Sequence, residues 1–297
     1  MKKSICFTGV GTALVTPFRD GEIDFPCLLR LIEEQISGGI DALIVGGTTA
    51  EVATLSDGER ERLYAFCAEK VGGRVKFILG TGSLDTKKAI YYTKLAASLK
   101  ADGALSVTPY YNKGTVEGIY RHFLSVAEAC EMPTIIYNVP TRTAVNIGIE
   151  TLARLAEHEN IAGLKESNDS LSRLSELAVL AEELPLYSGN DYANLAFYAH
   201  GARGAVSVVS NLYPKQTKRI WELYKDGNIE AARTRQNDMT ELVHALFLET
   251  NPSVVKFALE RFGICTEEVR LPLTPPTSAT RERLVKAING YEKTLTQ

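Results

Sequence analysis

The sequence has no strong excess of one charge, and this limits the partners it can bind. It contains 33 lysine and arginine residues against 36 aspartate and glutamate residues, which gives a formal net charge of -3. Nucleic acids and anionic membrane surfaces attract proteins with a strongly basic surface. We therefore expect neither nucleic acid nor a membrane as a partner, and a small molecule instead.

Histidine and cysteine are also scarce. The 4 histidines are isolated from one another, whereas metal-dependent catalysis usually needs several together. The 5 cysteines are scattered without a C-x-x-C pair, which argues against a disulfide framework or a thiolate zinc site. Nucleotide-binding loops and serine-nucleophile motifs are absent. We expect no metal, no cofactor and a cytoplasmic location, where thiols stay reduced.

Long apolar runs are missing as well. No window approaches the roughly 18 uninterrupted apolar residues that a membrane helix requires. The segment that follows Met1 is broken by glycines and threonines and lacks the small-residue cleavage pattern of a signal peptide. We therefore expect no signal peptide and no membrane span.

The sequence does contain a repeated alternation of short apolar runs with amphipathic segments. In one such segment, Ser56 and Glu59 form a capping box that predicts a helix to Val71. Alternation of strand and helix requires a parallel sheet, and eight repeats favour a closed (β/α)8 TIM barrel over an open sheet. The predicted strands cover residues 9–15, 42–46, 75–80, 104–108, 134–137, 162–165, 186–188 and 205–209.

The last part of the chain loses this alternation. After Tyr213 the pattern predicts only helices: one that ends near residue 227, one over 228–248, a short one with Pro252 in its first turn, and a last one from Ser278. Prolines make 270–278 a stiff connector. We predict a catalytic barrel over residues 1–227 and a C-terminal helical extension over residues 228–297.

Lys165 is the most informative residue at the predicted strand ends, where barrels of this type carry their catalytic side chains. It closes an apolar run at the end of the sixth predicted strand. Burial disfavours the charged ammonium of a lysine, and the uncharged amine is the form that attacks a carbonyl carbon to give an imine. A lysine at a strand end can also extend into solvent, and position alone does not decide between the two.

Two other strand ends carry polar side chains that could assist. Tyr137 could transfer protons, or it could cap the core with its hydroxyl outward. The turn with Thr48 and Thr49 offers backbone N–H groups and hydroxyls that suit a carboxylate or phosphate, although an ordinary strand-to-helix turn would look the same. Arg142 could bind a carboxylate through its two-pronged guanidinium, or it could be a solvated charge.

Taken in order, these segments resemble the pyruvate-dependent class I aldolase family. The similarity runs along nearly the whole chain, from residues 11–18 (GTALVTPF) to residues 251–256 (NPSVVK) and 270–273 (RLPL). Several motifs in the same order make the resemblance specific. It implies a TIM-barrel lyase that binds pyruvate and needs no cofactor.

The resemblance also implies a role for each polar residue. Lys165 would form the Schiff base with pyruvate, and Thr48 with Thr49 would receive the pyruvate carboxylate. Tyr137, Thr48 and Tyr111 would form a proton relay, with Tyr111 reaching across from an adjacent subunit. We therefore expect a homodimer or a homotetramer.

The second substrate follows from two positions. The synthases of this family hold the carboxylate of L-aspartate 4-semialdehyde with an arginine that here is Arg142, whereas the sialic acid lyases have a glutamate where this sequence has Tyr192. We also expect Gly189 and Val206, on the last two strands, to bind substrate. The expected reaction gives 4-hydroxy-tetrahydrodipicolinate, in lysine and diaminopimelate biosynthesis. Another pyruvate-dependent aldolase or a keto-sugar-acid dehydratase, such as N-acetylneuraminate lyase, is the alternative, and a catalytically silent keto-acid sensor is a third possibility.

Two departures from the family pattern affect the interpretation. Ala50 replaces a usual glycine, which is tolerable if its backbone φ is negative. The positions that bind lysine in feedback-sensitive members are here Asp57, Arg60, Leu84 and Lys88. Leu84 offers no partner to an ammonium group and Lys88 repels one. We therefore predict weak or absent inhibition by lysine.

Overall fold

Eight parallel strands close into a barrel. The computed structural model describes residues 5–168 and 170–296. Its strands are β1 (Gly9–Ala13), β2 (Phe18–Arg19), β3 (Glu22–Ile23), β4 (Ala42–Val45), β5 (Lys76–Gly80), β6 (Gly103–Val107), β7 (Thr134–Asn138), β8 (Ile161–Glu166), β9 (Leu186–Ser188) and β10 (Gly204–Ser207). Strand β1 pairs with both β4 and β10, and β4 to β10 pair in sequence order. Strands β2 and β3 form a separate antiparallel pair, so the other eight strands make the barrel. The predicted TIM barrel and each of its eight strands are confirmed.

Helices cover the outside of the barrel. They are α1 (Phe25–Ser37), α2 (Asp57–Val71), α3 (Thr86–Ser98), α4 (Val116–Glu128), α5 (Pro140–Thr143), α6 (Ile149–Ala156), α7 (Leu171–Ala178), α8 (Asn194–Ala199) and α9 (Pro214–Lys225). Because helices cover the sheet, strands such as β1 and β4 are buried along their whole length. Helix α2 has the predicted capping box, in which the Ser56 hydroxyl accepts from the Glu59 N–H and the Glu59 carboxylate accepts from the Ser56 N–H.

A close approach of two backbones seals the barrel between β1 and β10. A Cβ atom at Gly204 would lie only 1.9 Å from the Gly9 carbonyl oxygen. Only glycine fits at that distance. The pairing of the first strand with the last therefore depends on a residue without a side chain.

The C-terminal extension contains α10 (Ile229–Asp238), α11 (Thr240–Leu246), α12 (Ser253–Arg261) and α13 (Ser278–Leu295). The prediction of one helix over residues 228–248 is wrong. The chain breaks at the buried Met239 because α10 packs on α9 whereas α11 packs on α13. Pro252 directly precedes α12 as its N-cap and lies outside its first turn. The connector before Ser278 has no regular structure, as predicted.

Within residues 5–168 and 170–296, no helix has the length and the apolar character needed to cross a membrane. The expectation about a signal peptide concerns the segment that begins at Met1, and residues 1–4 lie outside the described part of the chain. The division of the chain after residue 227 stays a prediction.

Candidate active site

The C-terminal ends of the barrel strands surround a cavity of about 240 Å³. Residues from β4, β7 and β8 and from the segment after β9 reach its wall from distant parts of the sequence, because parallel strands all end at the same face of a barrel. Six of the eight predicted site residues line this cavity: Thr48, Thr49, Tyr137, Arg142, Lys165 and Gly189.

Lys165 and Tyr137 face each other at its base. They are directly paired across β8 and β7, and the Lys165 Nζ atom lies 4.1 Å from the centre of the Tyr137 ring. Each residue is only 7% exposed. The Lys165 amine therefore lines the cavity and does not extend into bulk solvent, which removes the alternative that its position in the sequence left open.

Gly189 leaves room for the lysine side chain. A Cβ atom there would lie 3.0 Å from Lys165 Cε and 2.0 Å from Ser167 Oγ. The Gly189 N–H donates to the Glu166 carbonyl at 2.8 Å, so the backbone is held close to β8. Any larger residue at this position would have to displace the groups around the Lys165 amine.

The turn after β4 supplies hydroxyl groups to the same cavity. A single turn of 3-10 helix covers Thr48–Ala50. Thr49 is buried, and its Oγ atom accepts a hydrogen bond of 2.9 Å from Asn251 Nδ2. The left-handed backbone conformation falls on Glu51, with φ 54°, and not on Ala50. Alanine is therefore tolerated where the family usually has glycine.

Arg142 lies on the outer wall of the cavity. It belongs to the short helix α5, which begins with Pro140. Among the residues that the structure describes, no carboxylate pairs with its guanidinium, and the residue is exposed. The guanidinium is therefore available to a carboxylate on a ligand.

A buried hydrogen-bond network holds Glu166, the residue that follows Lys165 on β8. The Glu166 carboxylate accepts from Arg173 Nε at 2.9 Å and from Asn138 Nδ2 at 2.8 Å, and Arg173 also donates to the Ile147 carbonyl at 2.8 Å. Burial raises the pKa of Glu166, and the charge of Arg173 and the hydrogen bonds oppose this only in part. The network joins β8 to β7 and to Ile147, which follows the helix that carries Arg142. The one feature of the sequence that indicates this network is Glu166, a charged residue at the end of an apolar strand.

A second cavity, of about 590 Å³, opens next to the first and shares Thr48, Tyr137 and Arg142 with it. Asp57, Arg60, Leu84 and Lys88 line its other side. The Asp57 carboxylate already accepts from Lys88 at 2.7 Å and from Tyr92 at 2.6 Å. The hydrogen bond from Lys88 lowers the pKa of Asp57.

Two of the predicted site residues do not line the smaller cavity. Tyr111 is 89% exposed, with φ 71°. Val206 is buried in β10, where it pairs with Gly11 of β1, and Val208 lines the cavity instead because it lies beyond the strand end. The role of Val206 in substrate binding stays a prediction.

The sequence reasoning also missed cavity-lining residues, most of them beyond the barrel strands. Asn251 and Phe247 come from the C-terminal extension, and Ser167 follows β8. Asn251 stands in the NPSVVK motif, which is the one signal that could have identified it. No group of three or more histidine, cysteine, aspartate and glutamate residues in the described chain is placed to hold a metal ion.

Comparison with known proteins assigns the family. The sequence pattern of the dihydrodipicolinate synthetase family matches residues 6–290. The chain belongs to the dihydrodipicolinate synthetase family. This confirms the resemblance to the pyruvate-dependent aldolases.

Similar proteins cover almost the whole chain. The 4-hydroxy-tetrahydrodipicolinate synthase of Geotalea daltonii is 44% identical over 287 residues, which are 96% of this chain and 99% of that protein. The solved structure of the 4-hydroxy-tetrahydrodipicolinate synthase from Methylacidiphilum fumariolicum SolV has a TM-score of 0.94 at 39% identity and covers 97% of both chains. A monomeric dihydrodipicolinate synthase variant matches with a TM-score of 0.94 at 40% identity, also over 97% of both chains.

Proposed function

We propose that this chain condenses pyruvate with L-aspartate 4-semialdehyde to give 4-hydroxy-tetrahydrodipicolinate, with Lys165 as the Schiff-base residue. The observation that carries the proposal is the buried Lys165 amine, which lines a cavity of about 240 Å³ beside Tyr137. The enzyme is a lyase of the class I aldolase type. Its product belongs to lysine and diaminopimelate biosynthesis.

The first half of the reaction activates pyruvate. The Lys165 amine attacks the keto carbon, and the resulting carbinolamine loses water to form an imine. Thr48 and Thr49 hold the pyruvate carboxylate. The imine withdraws electrons from the neighbouring methyl group, which loses a proton to give a nucleophilic enamine. The relay of Tyr137, Thr48 and the partner subunit's Tyr111 carries these protons.

The second half forms the new carbon–carbon bond. Arg142 binds the carboxylate of the aldehyde substrate, and the enamine carbon attacks the aldehyde carbon while Tyr137 delivers a proton to the developing alkoxide. The amino group of the bound aldehyde substrate then displaces Lys165 from the imine carbon. This closes the ring of the product and returns the free amine.

Borohydride trapping tests the Schiff base directly. Reduction in the presence of pyruvate should attach the pyruvate carbons irreversibly to the peptide that contains Lys165, as identified by mass mapping. The Lys165→Ala variant should not be labelled and should lose activity. Labelling of another lysine, or none, would refute the assignment of Lys165.

The choice of aldehyde is tested with two substrates. We expect pyruvate consumption with L-aspartate 4-semialdehyde and none with N-acetylmannosamine. The reverse result would favour the alternative of an N-acetylneuraminate lyase. A protein that is trapped with pyruvate but turns over neither aldehyde would be the keto-acid sensor.

The assembly and the location belong to the same proposal. A homodimer or homotetramer is supported by the exposure of Tyr111, which lines neither of the two cavities described above. A mixture of Tyr111→Phe and Lys165→Ala chains should regain activity, because a mixed dimer holds one complete site. Mixed chains that stay inactive would refute the sharing of Tyr111. The free thiols of all five cysteines support a cytoplasmic location.

The chain organisation is proposed as a catalytic barrel over residues 1–227 and a helical extension over residues 228–297. The support is that β10 closes the barrel and α9 covers it before the extension begins at α10.

A further inference from the structure

The C-terminal extension contacts the turn that binds the pyruvate carboxylate in the proposed reaction. We call residues 47–51 the carboxylate turn. We infer that Asn251, Lys256 and Arg270 are positioning residues that hold the carboxylate turn in its substrate-binding conformation. This inference rests on the proposed function, and it gives a role to the NPSVVK and RLPL motifs, which the reaction itself does not use.

The first contact sets the direction of a hydroxyl group. Asn251 Nδ2 donates to Thr49 Oγ at 2.9 Å, and both residues are buried. A threonine hydroxyl has one proton to donate. Because its oxygen already accepts from Asn251, the Thr49 hydroxyl is left as a donor, and a carboxylate accepts from donors. Asn251 therefore turns Thr49 into the partner that a keto-acid carboxylate requires.

The second contact fixes the backbone of the turn. Glu51 has φ 54°, a left-handed conformation that is unfavourable for residues other than glycine. Its buried carboxylate accepts from Lys256 Nζ at 2.7 Å and from the Arg270 N–H at 2.9 Å. These two contacts hold Glu51 in place although its local backbone preference opposes that conformation.

Asn251 also lines the cavity itself. It shares the wall of the 240 Å³ cavity with Lys165 and Thr49, and its Oδ1 atom is buried with no hydrogen-bond partner in the described chain. A buried polar atom without a partner is uncommon in proteins. Asn251 therefore contacts both the cavity and the carboxylate turn. Its position at the cavity wall supports a role of the extension in substrate binding.

The test compares pyruvate binding with stability. In Asn251→Ala, the pyruvate concentration that gives half-maximal borohydride trapping should rise about tenfold, the effect of one lost hydrogen bond to a charged group. The KM for the aldehyde should stay unchanged. Asn289→Ala, which changes an exposed residue on α13 of the same extension, is the matched control and should behave as wild type.

Three outcomes are distinguishable. If pyruvate does not label the wild type at all, the proposed function fails. If it labels the wild type, and Asn251→Ala shows the same half-maximal pyruvate concentration, the proposed function stands and the positioning role of Asn251 is overturned. A higher pyruvate requirement together with an unchanged KM for the aldehyde supports the inference.

A second variant tests the ion pair without leaving an unpaired charge. Glu51→Gln combined with Lys256→Met removes both charges together, so the chain should fold even if either single variant does not. The half-maximal pyruvate concentration should rise several-fold, because the turn loses its anchor. A double variant that binds pyruvate as tightly as wild type would overturn the role of Lys256.

Discussion

Two buried glutamates lie behind the candidate active site, and they are held in different ways. Glu166 follows Lys165 and pairs with Arg173, which is 7 residues later in the chain. Glu51 ends the carboxylate turn and pairs with Lys256, which is 205 residues away. The first pair is built within one strand–helix unit, whereas the second joins the barrel to the C-terminal extension.

The difference shows which part of the site the barrel can build alone. Next to Lys165, the hydrogen bonds to the Glu166 carboxylate in the described chain come from Asn138 on β7, from Asn168 just after β8 and from Arg173 on α7. Around the carboxylate turn, the contacts to Thr49 and Glu51 come from Asn251, Lys256 and Arg270. The extension is therefore part of the candidate active site.

The largest expected effect comes from breaking the long-range pair. Lys256→Met should lower the free energy of unfolding by about 3–5 kcal/mol, because it leaves a buried charge without its partner. Both side chains are 0% exposed, so water cannot solvate the remaining carboxylate. Urea denaturation measures the loss, and the double variant with Glu51→Gln should recover most of it. A single variant as stable as wild type would show that the pair does not anchor the extension.

Arg142→Ala should have the next largest effect, and on catalysis only. Loss of the charged hydrogen bonds to the aldehyde carboxylate should raise the activation free energy for L-aspartate 4-semialdehyde by about 1.5–3 kcal/mol. This corresponds to a kcat/KM that is roughly 10- to 150-fold lower. The pyruvate concentration for half-maximal trapping should not change. Steady-state kinetics at saturating pyruvate measure this effect. If binding of pyruvate were weakened as much as kcat/KM for the aldehyde, Arg142 would not act on the aldehyde substrate alone.

Arg173→Met should cost less than Lys256→Met, about 2 kcal/mol near neutral pH. Glu166 keeps its hydrogen bonds from Asn138 and Asn168, and its pKa is already raised by burial, so it can take up a proton when Arg173 is absent.

The pH dependence of this variant has a defined sign. A carboxyl group whose pKa is raised by folding favours the native state at low pH and loses that contribution as the pH rises through the raised pKa. The stability of Arg173→Met relative to wild type should therefore improve as the pH falls from about 8 to about 5. Urea denaturation across this pH range measures the stability difference between Arg173→Met and wild type. A difference that grows toward low pH would contradict the expected uptake of a proton by Glu166.

The sequence predicts the local parts of the molecule well. The eight strands and the start of α2 follow from short-range periodicity and from a capping box, which depend on neighbouring residues. Lys165, Tyr137 and Gly189 meet in one cavity because strand ends of a barrel converge at one face.

The parts that could not be predicted depend on distant contacts. The break at Met239 arises because α10 and α11 pack on different helices, which no local pattern reports. Asn251 reaches Thr49 only after the extension folds back over the barrel. Val208 lines the cavity because β10 ends at Ser207, earlier than the apolar run in the sequence indicates.

The smallest expected effect is that of lysine as an inhibitor, because the larger cavity carries charges that oppose it. Arg60 and Lys88 are both cationic, Asp57 is already engaged by Lys88 and Tyr92, and Leu84 is 47% exposed without a polar group. An added ammonium group would meet positive charge and an apolar surface. Activity should stay close to its full value at sub-millimolar lysine.

Inhibition assays with a matched pair of variants sharpen this expectation. Leu84→Asn combined with Lys88→Glu introduces an amide and a carboxylate where the wild type has an apolar and a cationic side chain. Inhibition by lysine should appear in this variant and not in Leu84→Met, which changes the shape of the surface without adding polar groups. Half-maximal inhibition of the wild type at sub-millimolar lysine would show that the backbone and Asp57 are sufficient to bind the effector.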